Sequence, residues 1–303
     1  MTGLVIEQLD CIWSEAEHSA FTDLLHWRSQ WWCTFREAAD HGGGSLGAIR
    51  ILRSQDGASW QSVALLEEEG FDLRDPKLSA APDGSLVLVM GASVYRGSTY
   101  LTRSPRLSFS ADGHTWSTPV RVLAEDHWLW RITWHAGRAY AVSKLGEGNN
   151  PRRGMLYASD DAVDWRWICE FYLPENTWNA SETTLRFMPD GALIALVRPE
   201  WIGRSRPPYT EWAWTRMDEA IGGPNFVVLP NGAMWGGGRR YIEGGRMWLA
   251  RMTPTTYEYA LELPSGGDCS YPGMVWHGDR LWVSYYSAHE GKAKIYLARV
   301  AIE

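Results

Sequence analysis

The chain has 303 residues, is 45% hydrophobic and carries a formal net charge of −7. This composition supports a sizeable core, whereas the lack of a basic stretch interleaved with aromatic residues argues against a nucleic-acid partner. No apolar run reaches the roughly 18 residues of a membrane-spanning helix, so we expect no membrane partner either.

The N-terminal stretch MTGLVIEQLDCIW has neither a basic start nor a long apolar run. A signal peptide needs both features, so the sequence as written predicts a cytoplasmic protein. A periplasmic or secreted location stays open if a leader has been removed.

Three nearly identical turns repeat along the chain. They read SQDGASWQ from Ser54, SADGHTWS from Ser110 and SDDAVDWR from Ser159. Ser and Asp side chains hydrogen-bond to turn backbone, Gly accepts a positive φ, and Trp packs between strands, so each repeat predicts a β-hairpin turn without chemistry of its own. Their spacing of about 50 residues matches one four-stranded blade of a β-propeller.

Six segments combine an alternating apolar run, a turn and a second apolar run, which is the pattern of an antiparallel strand pair. We predict that they are the two inner strands of six four-stranded antiparallel blades, which makes the protein an all-β, six-bladed β-propeller. In chain order the segments are HSAFTDLLHWRSQWWCTFRE, DLRDPKLSAAPDGSLVLVMG, WLWRITWHAGRAYAVSK, SETTLRFMPDGALIALVRPE, GPNFVVLPNGAMWGGGRR and CSYPGMVWHGDRLWVSYYS.

The first strand, LVIEQLDCIW, has no partner near it in sequence, and the last, KIYLARVAIE, ends the chain. Pairing these two strands closes the ring and removes an exposed sheet edge. We therefore predict a single domain over residues 1–303, with the N-terminal strand completing the last blade. The clearest candidate for a helix is a weak one around Thr215 to Ala220.

Charged and polar residues recur at the starts and ends of the predicted inner strands, which surround the propeller axis. They either form a structural ion-pair network or bind a ligand, and burying so many charges without a function is costly. Guanidinium groups bind carboxylates in a plane, and neighbouring carboxyl groups supply acid and base for glycoside cleavage, so the set predicts an acidic sugar. Its members are Arg36, Arg74, Arg131, Arg198, Arg239, Arg240, Glu37, Asp40, Asp75, Glu182, Glu200, Tyr271, Tyr285, His289 and Glu290.

Together the turns, the six blades and this polar set resemble the sialidase (neuraminidase) superfamily, whose turn repeats are called Asp boxes. The resemblance covers nearly the full length. It implies that Tyr271, in the stretch SYPGM, is a nucleophile that opens the inner strand of the last blade. It also implies that Glu182, at the end of the stretch NASE, activates this tyrosine from the start of the fourth blade.

The same resemblance assigns arginines to the family's carboxylate-binding triad. Arg198 follows Glu182 by the sixteen residues expected of one triad member. A second member is expected after the fifth blade's second strand, where the chain has Arg239 and Arg240, and we favour Arg240.

Two further stretches bear on the resemblance: a loop that fits the family's pattern and the start of the first blade, which differs from it. The loop REAADHGGG holds Asp40 where the family has its acid/base aspartate, with Glu37 and His41 as rivals. Sialidases open the first blade with Arg-Ile-Pro, but this chain has Ala20-Phe21-Thr22-Asp23 there, so we expect an altered carboxylate clamp. Arginines that neighbouring blades offer as substitutes are Arg36, Arg74 and Arg131.

The resemblance implies an exo-acting, retaining glycoside hydrolase that cleaves a terminal acidic sugar with a Tyr/Glu pair. One alternative is a sialidase-fold hydrolase or lyase that acts on a uronic or neutral sugar through a carboxylate pair. Another is a non-catalytic glycan-binding propeller. A protein-interaction propeller fits less well, because it needs an exposed apolar face rather than a polar, arginine-rich centre.

No cofactor and no metal are expected. The cysteines lie far apart without CxxC spacing, which predicts buried free thiols, and the histidines show no paired ligand spacing. The cysteines are Cys11, Cys33, Cys169 and Cys269, and the histidines without ligand spacing are His26, His41, His135, His277 and His289.

Overall fold

A computed structural model describes residues 3–42, 44–146, 151–174 and 179–303 of the protein. Their strands form six antiparallel sheets of four strands, except that the inner strand of the third sheet is divided into two pieces, β10 and β11. The predicted all-β, six-bladed propeller is therefore confirmed. Each of the six segments expected to hold two inner strands does so.

The first three blades follow one another along the chain. Blade 1 consists of β2 (His18–Trp27), β3 (Gln30–Ala38), β4 (Ala48–Ser54) and β5 (Gln61–Leu66); blade 2 of β6 (Asp72–Ala80), β7 (Leu86–Arg96), β8 (Thr99–Ser110) and β9 (Val120–Arg121); blade 3 of β10 (His127–Leu129), β11 (Thr133–His135), β12 (Arg138–Leu145), β13 (Arg153–Ser159) and β14 (Arg166–Glu170).

The last three blades complete the ring, and the sixth takes its outermost strand from the start of the chain. Blade 4 consists of β15 (Thr183–Phe187), β16 (Leu193–Val197), β17 (Trp201–Ser205) and β18 (Ala213–Arg216); blade 5 of β19 (Ile221–Val228), β20 (Met234–Arg240), β21 (Arg246–Met252) and β22 (Tyr257–Leu263); blade 6 of β23 (Cys269–His277), β24 (Arg280–Ser287), β25 (Lys294–Ile302) and β1 (Leu4–Trp13).

Both ends of the chain meet in blade 6. Strand β1 runs antiparallel to β25, from Leu4 opposite Ile302 to Trp13 opposite Ile295. The backbone of Gly3 also exchanges two hydrogen bonds with that of Glu303. This pairing covers the outer edge of β25. That residues 1–303 unfold as one domain stays a prediction, which limited proteolysis tests.

The three Ser-Asp turns, residues 54–60, 110–116 and 159–165, join the third and fourth strands of blades 1, 2 and 3. In the second turn, Asp112 Oδ1 accepts the backbone N–H groups of His114 and Thr115, both at 2.8 Å. Gly113 has a φ of +80°, and a Cβ there would lie 2.1 Å from the Trp32 ring of blade 1. The turns therefore stabilise the outer hairpins and contacts between blades.

A β-bulge interrupts the inner strand of blades 1, 2, 5 and 6 at the same place. The bulged residues are Phe21, Asp75, Gly223 and Tyr271, with φ between +51° and +65°. Only glycine adopts this left-handed region without strain, and bulges redirect a side chain out of the regular pleat. Strained positions of this kind concentrate at functional sites, which directs attention to the propeller axis.

Buried polar side chains link the blades along the axis. Thr22 donates to the backbone carbonyl of Tyr271 at 2.8 Å, and Asn225 donates to that of Pro272 at 2.9 Å. Lys77 donates to the carbonyl of Thr22 at 3.2 Å, so blade 2 holds blade 1 in the same way. The bulge around Tyr271 is thus fixed from both neighbouring blades.

The structure corrects one local prediction and confirms another in part. Thr215 and Arg216 belong to strand β18, with Thr215 opposite Ile202, and residues 217–220 form no helix. Strand pairing here overrides a weak local helical pattern.

All four cysteines are free; three are buried as expected, and Cys11 is exposed. Within the described ranges, no helix has the length and apolar character needed to cross a membrane.

Candidate active site

Three side chains from two blades meet at the axis, and we call them the central triad: Tyr271, Glu182 and Arg198. The Tyr271 hydroxyl donates to Glu182 Oε1 at 2.6 Å. Arg198 Nη1 donates to the same oxygen at 2.6 Å and lies 3.3 Å from the Tyr271 hydroxyl. Three residues that the sequence assigned to one site therefore lie in direct contact.

The backbone explains how these three meet. Glu182 directly precedes β15 and Arg198 directly follows β16, so the two face each other across the strand pair, with the Arg198 N–H donating to the Glu182 carbonyl at 3.0 Å. This strand-turn-strand geometry accounts for their separation of sixteen residues. Tyr271 enters from its bulge in β23 and packs against Gly223, where a Cβ would lie 2.8 Å from Tyr271 Cγ. A larger residue at position 223 would displace the tyrosine.

The protonation states of the central triad differ sharply. Burial acts to raise the pKa of Glu182, but the charges of Arg198 and Lys144 outweigh it and hold that pKa well below its usual range. Burial, reinforced by the Glu182 charge, raises the pKa of the Tyr271 phenol well above its usual value. At neutral pH the site therefore holds a protonated phenol that donates a hydrogen bond to an ionised carboxylate.

Cationic groups surround the central triad. Arg198 Nη2 lies 2.9 Å from the hydroxyl of Tyr241, whose ring is half exposed, and the Arg239 guanidinium lies 5.1 Å from that ring. The Lys77 ammonium lies 5.7 Å from the Tyr271 ring, and burial lowers its pKa to about 8. The positive charges of Arg198 and Arg239 beside the half-exposed Tyr241, and of Lys77 along the propeller axis, suit an anionic ligand.

Asp75 is an acidic residue close to the central triad. Burial raises its pKa, and the Glu182 charge acts in the same direction. Its Oδ1 is buried and has no hydrogen-bond partner among the described residues. The pKa of Asp75 and the pKa of Glu182 therefore shift in opposite directions.

The sequence has Ala20 where the sialidase resemblance would place an arginine, and the next residue, the bulged Phe21, lies against Tyr271. The Phe21 ring is 1% exposed and lies 5.2 Å from the Tyr271 ring and 5.1 Å from the His41 ring. The Arg74 guanidinium lies 5.0 Å from the Phe21 ring, and it pairs with Asp72 at 3.0 Å. An aromatic wall thus replaces the cation that the resemblance implied.

A second polar group, which we call the histidine cluster, adjoins this wall: His18, His41, Asp268 and Tyr286. His41 Nδ1 lies 2.6 Å and His18 Nε2 2.9 Å from the same Asp268 oxygen, Oδ2. The Tyr286 hydroxyl donates to the other oxygen, Oδ1, at 2.8 Å. Burial acts to raise the pKa of Asp268, but the hydrogen bonds from His18 and His41 hold it well below its usual range. The sequence pointed to His41 alone in this group.

Asp40 and Arg36 contact residues in and around the loop that follows β3. The Asp40 carboxylate accepts a hydrogen bond from the Ser45 hydroxyl, which holds its pKa below the usual range. Arg36 is fully buried; it pairs with Asp72 at 2.7 Å and donates to the Asp40 carbonyl at 2.7 Å. The described contacts of both residues thus order the loop and include none with the central triad.

Several other predicted site residues lie in local pairs away from the central triad. Arg240 forms two hydrogen bonds of 2.6 Å to Glu219 and lies over the Trp248 and Tyr259 rings, so Arg239 is the arginine of that pair beside the site. Arg131 pairs with Asp23 deep on the axis at 2.6 Å. The remaining pairs are Glu37 with Arg50, Glu200 with Arg216, Glu290 with Lys294, His289 with Ser287, and Tyr285 with the carbonyl of Pro264.

No protein-family model matches the chain, and no curated protein matches it in sequence. A protein of unknown function from Dyadobacter fermentans has the same fold, with a TM-score of 0.85 and 18% identity over 99% of this chain and 100% of that one. A Penicillium chrysogenum α-L-arabinanase complexed with arabinobiose gives a TM-score of 0.73 and 14% identity over 97% and 98% of the two chains.

A Trypanosoma rangeli sialidase in complex with the inhibitor DANA gives a TM-score of 0.72 and 12% identity, over 94% of this chain and 55% of that one. This chain thus spans about half of that sialidase. At such identities the comparisons show the fold alone, a six-bladed propeller that glycoside hydrolases also use.

Proposed function

We propose that this protein is a retaining glycoside hydrolase in which Tyr271 is the nucleophile and Glu182 its base. The central triad is the observation that carries this proposal. A half-buried phenol that donates to a buried carboxylate, itself paired with a guanidinium, has no evident structural purpose at the axis of a propeller. The neighbouring folds include sialidases and an arabinanase, so the scaffold is one on which glycosides are cleaved.

The reaction takes two displacements. In the first, the Tyr271 oxygen attacks the anomeric carbon, its proton passes to Glu182, and the bond to the leaving oxygen breaks as that oxygen gains a proton from an acid. In the second, water attacks the same carbon and gives a proton to the group that acted as the acid, the bond to Tyr271 breaks, and the phenol recovers its proton from Glu182. Arg198 stabilises the carboxylate that cycles between the two forms.

An acidic sugar is the proposed substrate class. Arg198 and Arg239 present guanidinium groups on one side of the site, and the half-exposed Tyr241 between them offers a ring face for a sugar. A neutral phenol is also a better nucleophile than a carboxylate where the anomeric carbon bears a carboxylate, because two anions repel. Ala20 in place of an arginine, followed by Phe21, implies a clamp different from that of the sialidases.

A panel of fluorogenic aryl glycosides tests the proposal directly. It contains sialic, related ulosonic, uronic and neutral sugars, and it is assayed with the unmodified protein, Tyr271→Phe and Tyr285→Phe. Tyr285 is a matched control, because it is a buried tyrosine of blade 6 outside the central triad. We expect turnover of an acidic glycoside that falls by about 10³-fold or more in Tyr271→Phe alone. Equal turnover in the two variants would overturn the assignment.

A second candidate keeps the fold and uses a carboxylate pair on a uronic or neutral sugar. The observation that favours it is that the pKa of Asp75 is raised and that of Glu182 is lowered, since shifts in opposite directions suit an acid and a base. In that case Asp75→Asn abolishes turnover, whereas Tyr271→Phe does not. An unsaturated product, detected by its ultraviolet absorbance, would identify a lyase. Binding of a glycan without turnover would identify a lectin-like propeller.

A further inference from the structure

The proposed reaction needs a group that gives a proton to the leaving oxygen, and Asp40 is poorly placed to do so. Its carboxylate is hydrogen-bonded to Ser45 of the same loop. The next residue, His41, has a side chain that is 55% exposed and contacts the wall of the site. The inference below rests on the proposed function and identifies the residue that supplies this proton.

The hydrogen bonds of Asp268 determine the tautomer of His41. An ionised carboxylate only accepts, so His41 must carry a hydrogen on Nδ1, the atom 2.6 Å from Asp268 Oδ2. The other ring nitrogen, Nε2, is then left to bind and release a proton. His18 and Tyr286 donate to the same carboxylate and keep it in position. In such an arrangement a carboxylate orients a histidine that transfers protons.

The loop that carries His41 is fixed on both sides of the residue. Arg74 Nη2 donates to the His41 carbonyl at 2.9 Å, and Arg36 Nη1 donates to the Asp40 carbonyl at 2.7 Å. The His41 ring meets the Phe21 ring edge-on at 5.1 Å, and Phe21 meets the Tyr271 ring at 5.2 Å. His41 is therefore one aromatic ring away from the proposed nucleophile, and its own side chain is exposed.

A metal ion is the competing explanation of the same cluster. The ligand atoms of His18, His41 and Asp268 lie within 4.8 Å of one another, which suits a divalent ion. A ligating histidine, however, normally donates its second ring N–H to an acceptor, and His18 Nδ1 is buried without a partner among the described residues. Direct hydrogen bonds to Asp268 use every donor of the cluster, so they explain the geometry better.

We propose that His41, oriented by Asp268, is the acid and base of the glycosidase reaction. In the first step the imidazolium gives its Nε2 proton to the glycosidic oxygen, which keeps the electron pair of the breaking bond. In the second step the neutral imidazole takes a proton from water as the water oxygen bonds to the anomeric carbon and the Tyr271 oxygen departs. Asp268 acts as a positioning residue. The charged and titratable groups that face this histidine are Asp268, His18, Tyr286, Arg74 and Asp40, with Arg239 3.9 Å from Asp268.

Two substrates with the same sugar and different leaving groups test the role. A nitrophenolate leaves without a proton, whereas an alkoxide needs one. We expect His41→Gln to lower kcat/KM about 10²- to 10⁴-fold for the alkyl glycoside and far less for the nitrophenyl glycoside. Asp40→Asn, the matched loop variant, and His135→Gln keep the ratio of the two kcat/KM values that the unmodified protein shows.

Other results would overturn the inference. Equal loss on both substrates in His41→Gln would make the residue structural, and selective loss in Asp40→Asn would return the role to the aspartate. One equivalent of zinc per chain, with activity lost to a chelator, would establish the metal site instead.

A measurement without substrate separates this inference from the proposed function. Nitrogen-15 NMR of labelled histidine is expected to show His41 protonated on Nδ1 at neutral pH, and to lose that preference in Asp268→Asn. A ring protonated on Nε2 would overturn the inference even if Tyr271 proves to be the nucleophile. If no glycoside is turned over, the proposed function fails, whatever the tautomer.

Discussion

The outer turns and the inner bulges of this propeller repeat in opposite ways. Residues 54–60, 110–116 and 159–165 are nearly the same sequence in three blades, and their Asp side chains accept the same backbone hydrogen bonds. The bulges occupy one equivalent place in four blades, yet they hold a Phe, an Asp, a Gly and a Tyr. Residues that repeat from blade to blade are therefore those that each blade needs to fold. Residues that differ at an equivalent position are those that we expect to take part in chemistry.

The physical reason lies in the neighbours of each position. An outer turn satisfies its own backbone, so the same residues serve every blade. A bulge at the axis faces the other blades, so its residue is selected by a shared centre: Tyr271 meets Glu182, Gly223 makes room for Tyr271, and Phe21 forms the wall. The following variants break one region at a time.

The largest expected effect comes from the base of the central triad. Glu182→Gln keeps the shape of the side chain but cannot take the Tyr271 proton, so we expect kcat to fall about 10³-fold. Circular dichroism, measured alongside the kinetics, should show the same folded spectrum, with the melting temperature lowered only by loss of the ionised Glu182–Arg198 pair. Loss of the folded spectrum in step with the activity would make Glu182 a structural residue.

A smaller effect on activity is expected for the guanidinium partner. Arg198→Ala removes a charged hydrogen bond to Glu182 and the contact with Tyr241, and we expect kcat/KM to fall about 10- to 100-fold. Arg240→Ala is the matched control, because that arginine pairs with Glu219 away from the site. Equal losses in the two variants would remove Arg198 from the proposed machinery.

The outer turns are expected to affect stability and leave activity unchanged. Gly113→Ala places a Cβ 2.1 Å from the Trp32 ring, whereas Gly84→Ala, at nearly the same φ, has its nearest neighbour at 3.9 Å. Both variants carry the strain of a positive φ, and Gly113→Ala adds a clash of about 1–3 kcal/mol. Urea unfolding measures the difference in free energy of unfolding. Equal destabilisation would show that the ring contact between blades 1 and 2 contributes nothing.

The smallest effect concerns the pH dependence of stability. The pKa of Glu182 lies below the ordinary 4.5 in the folded protein, so its stabilising contribution is complete above that pH and is lost as pH falls toward the folded-state value. We expect the unfolding free energy to drop more between about pH 5 and 3 in the unmodified protein than in Glu182→Gln. Parallel curves would mean that the pairing does not stabilise the fold.

The sequence predicts the repeating part of this molecule well, and the central triad through its resemblance. Tyr271, Glu182 and Arg198 lie next to strand starts and ends that the blade pattern locates. The histidine cluster is different, because Asp268 is 250 residues from His18 and 227 from His41, and no local pattern links them. Only the closed ring brings these segments together.

Register and loop conformation explain the other differences. Arg239 and Arg240 are adjacent, and successive residues of a strand face opposite sides, so the register of β20 decides which one faces the site. The sequence does not reveal this register, so it does not distinguish Arg239 from Arg240. Asp40 lies in a loop whose hydrogen bonds to Arg36 and Ser45 are set by side-chain conformation, which the residue pattern does not reveal.

Covalent trapping is the most direct test of Tyr271 as the nucleophile. A fluorinated glycoside of the sugar that the enzyme turns over slows release of the intermediate, and mass spectrometry of digested protein locates the attached sugar. We predict one sugar per chain, on the peptide that contains Tyr271, and no adduct in Tyr271→Phe. An adduct on Asp75 or Glu182, or rapid turnover of the natural glycoside by Tyr271→Phe, would contradict the account.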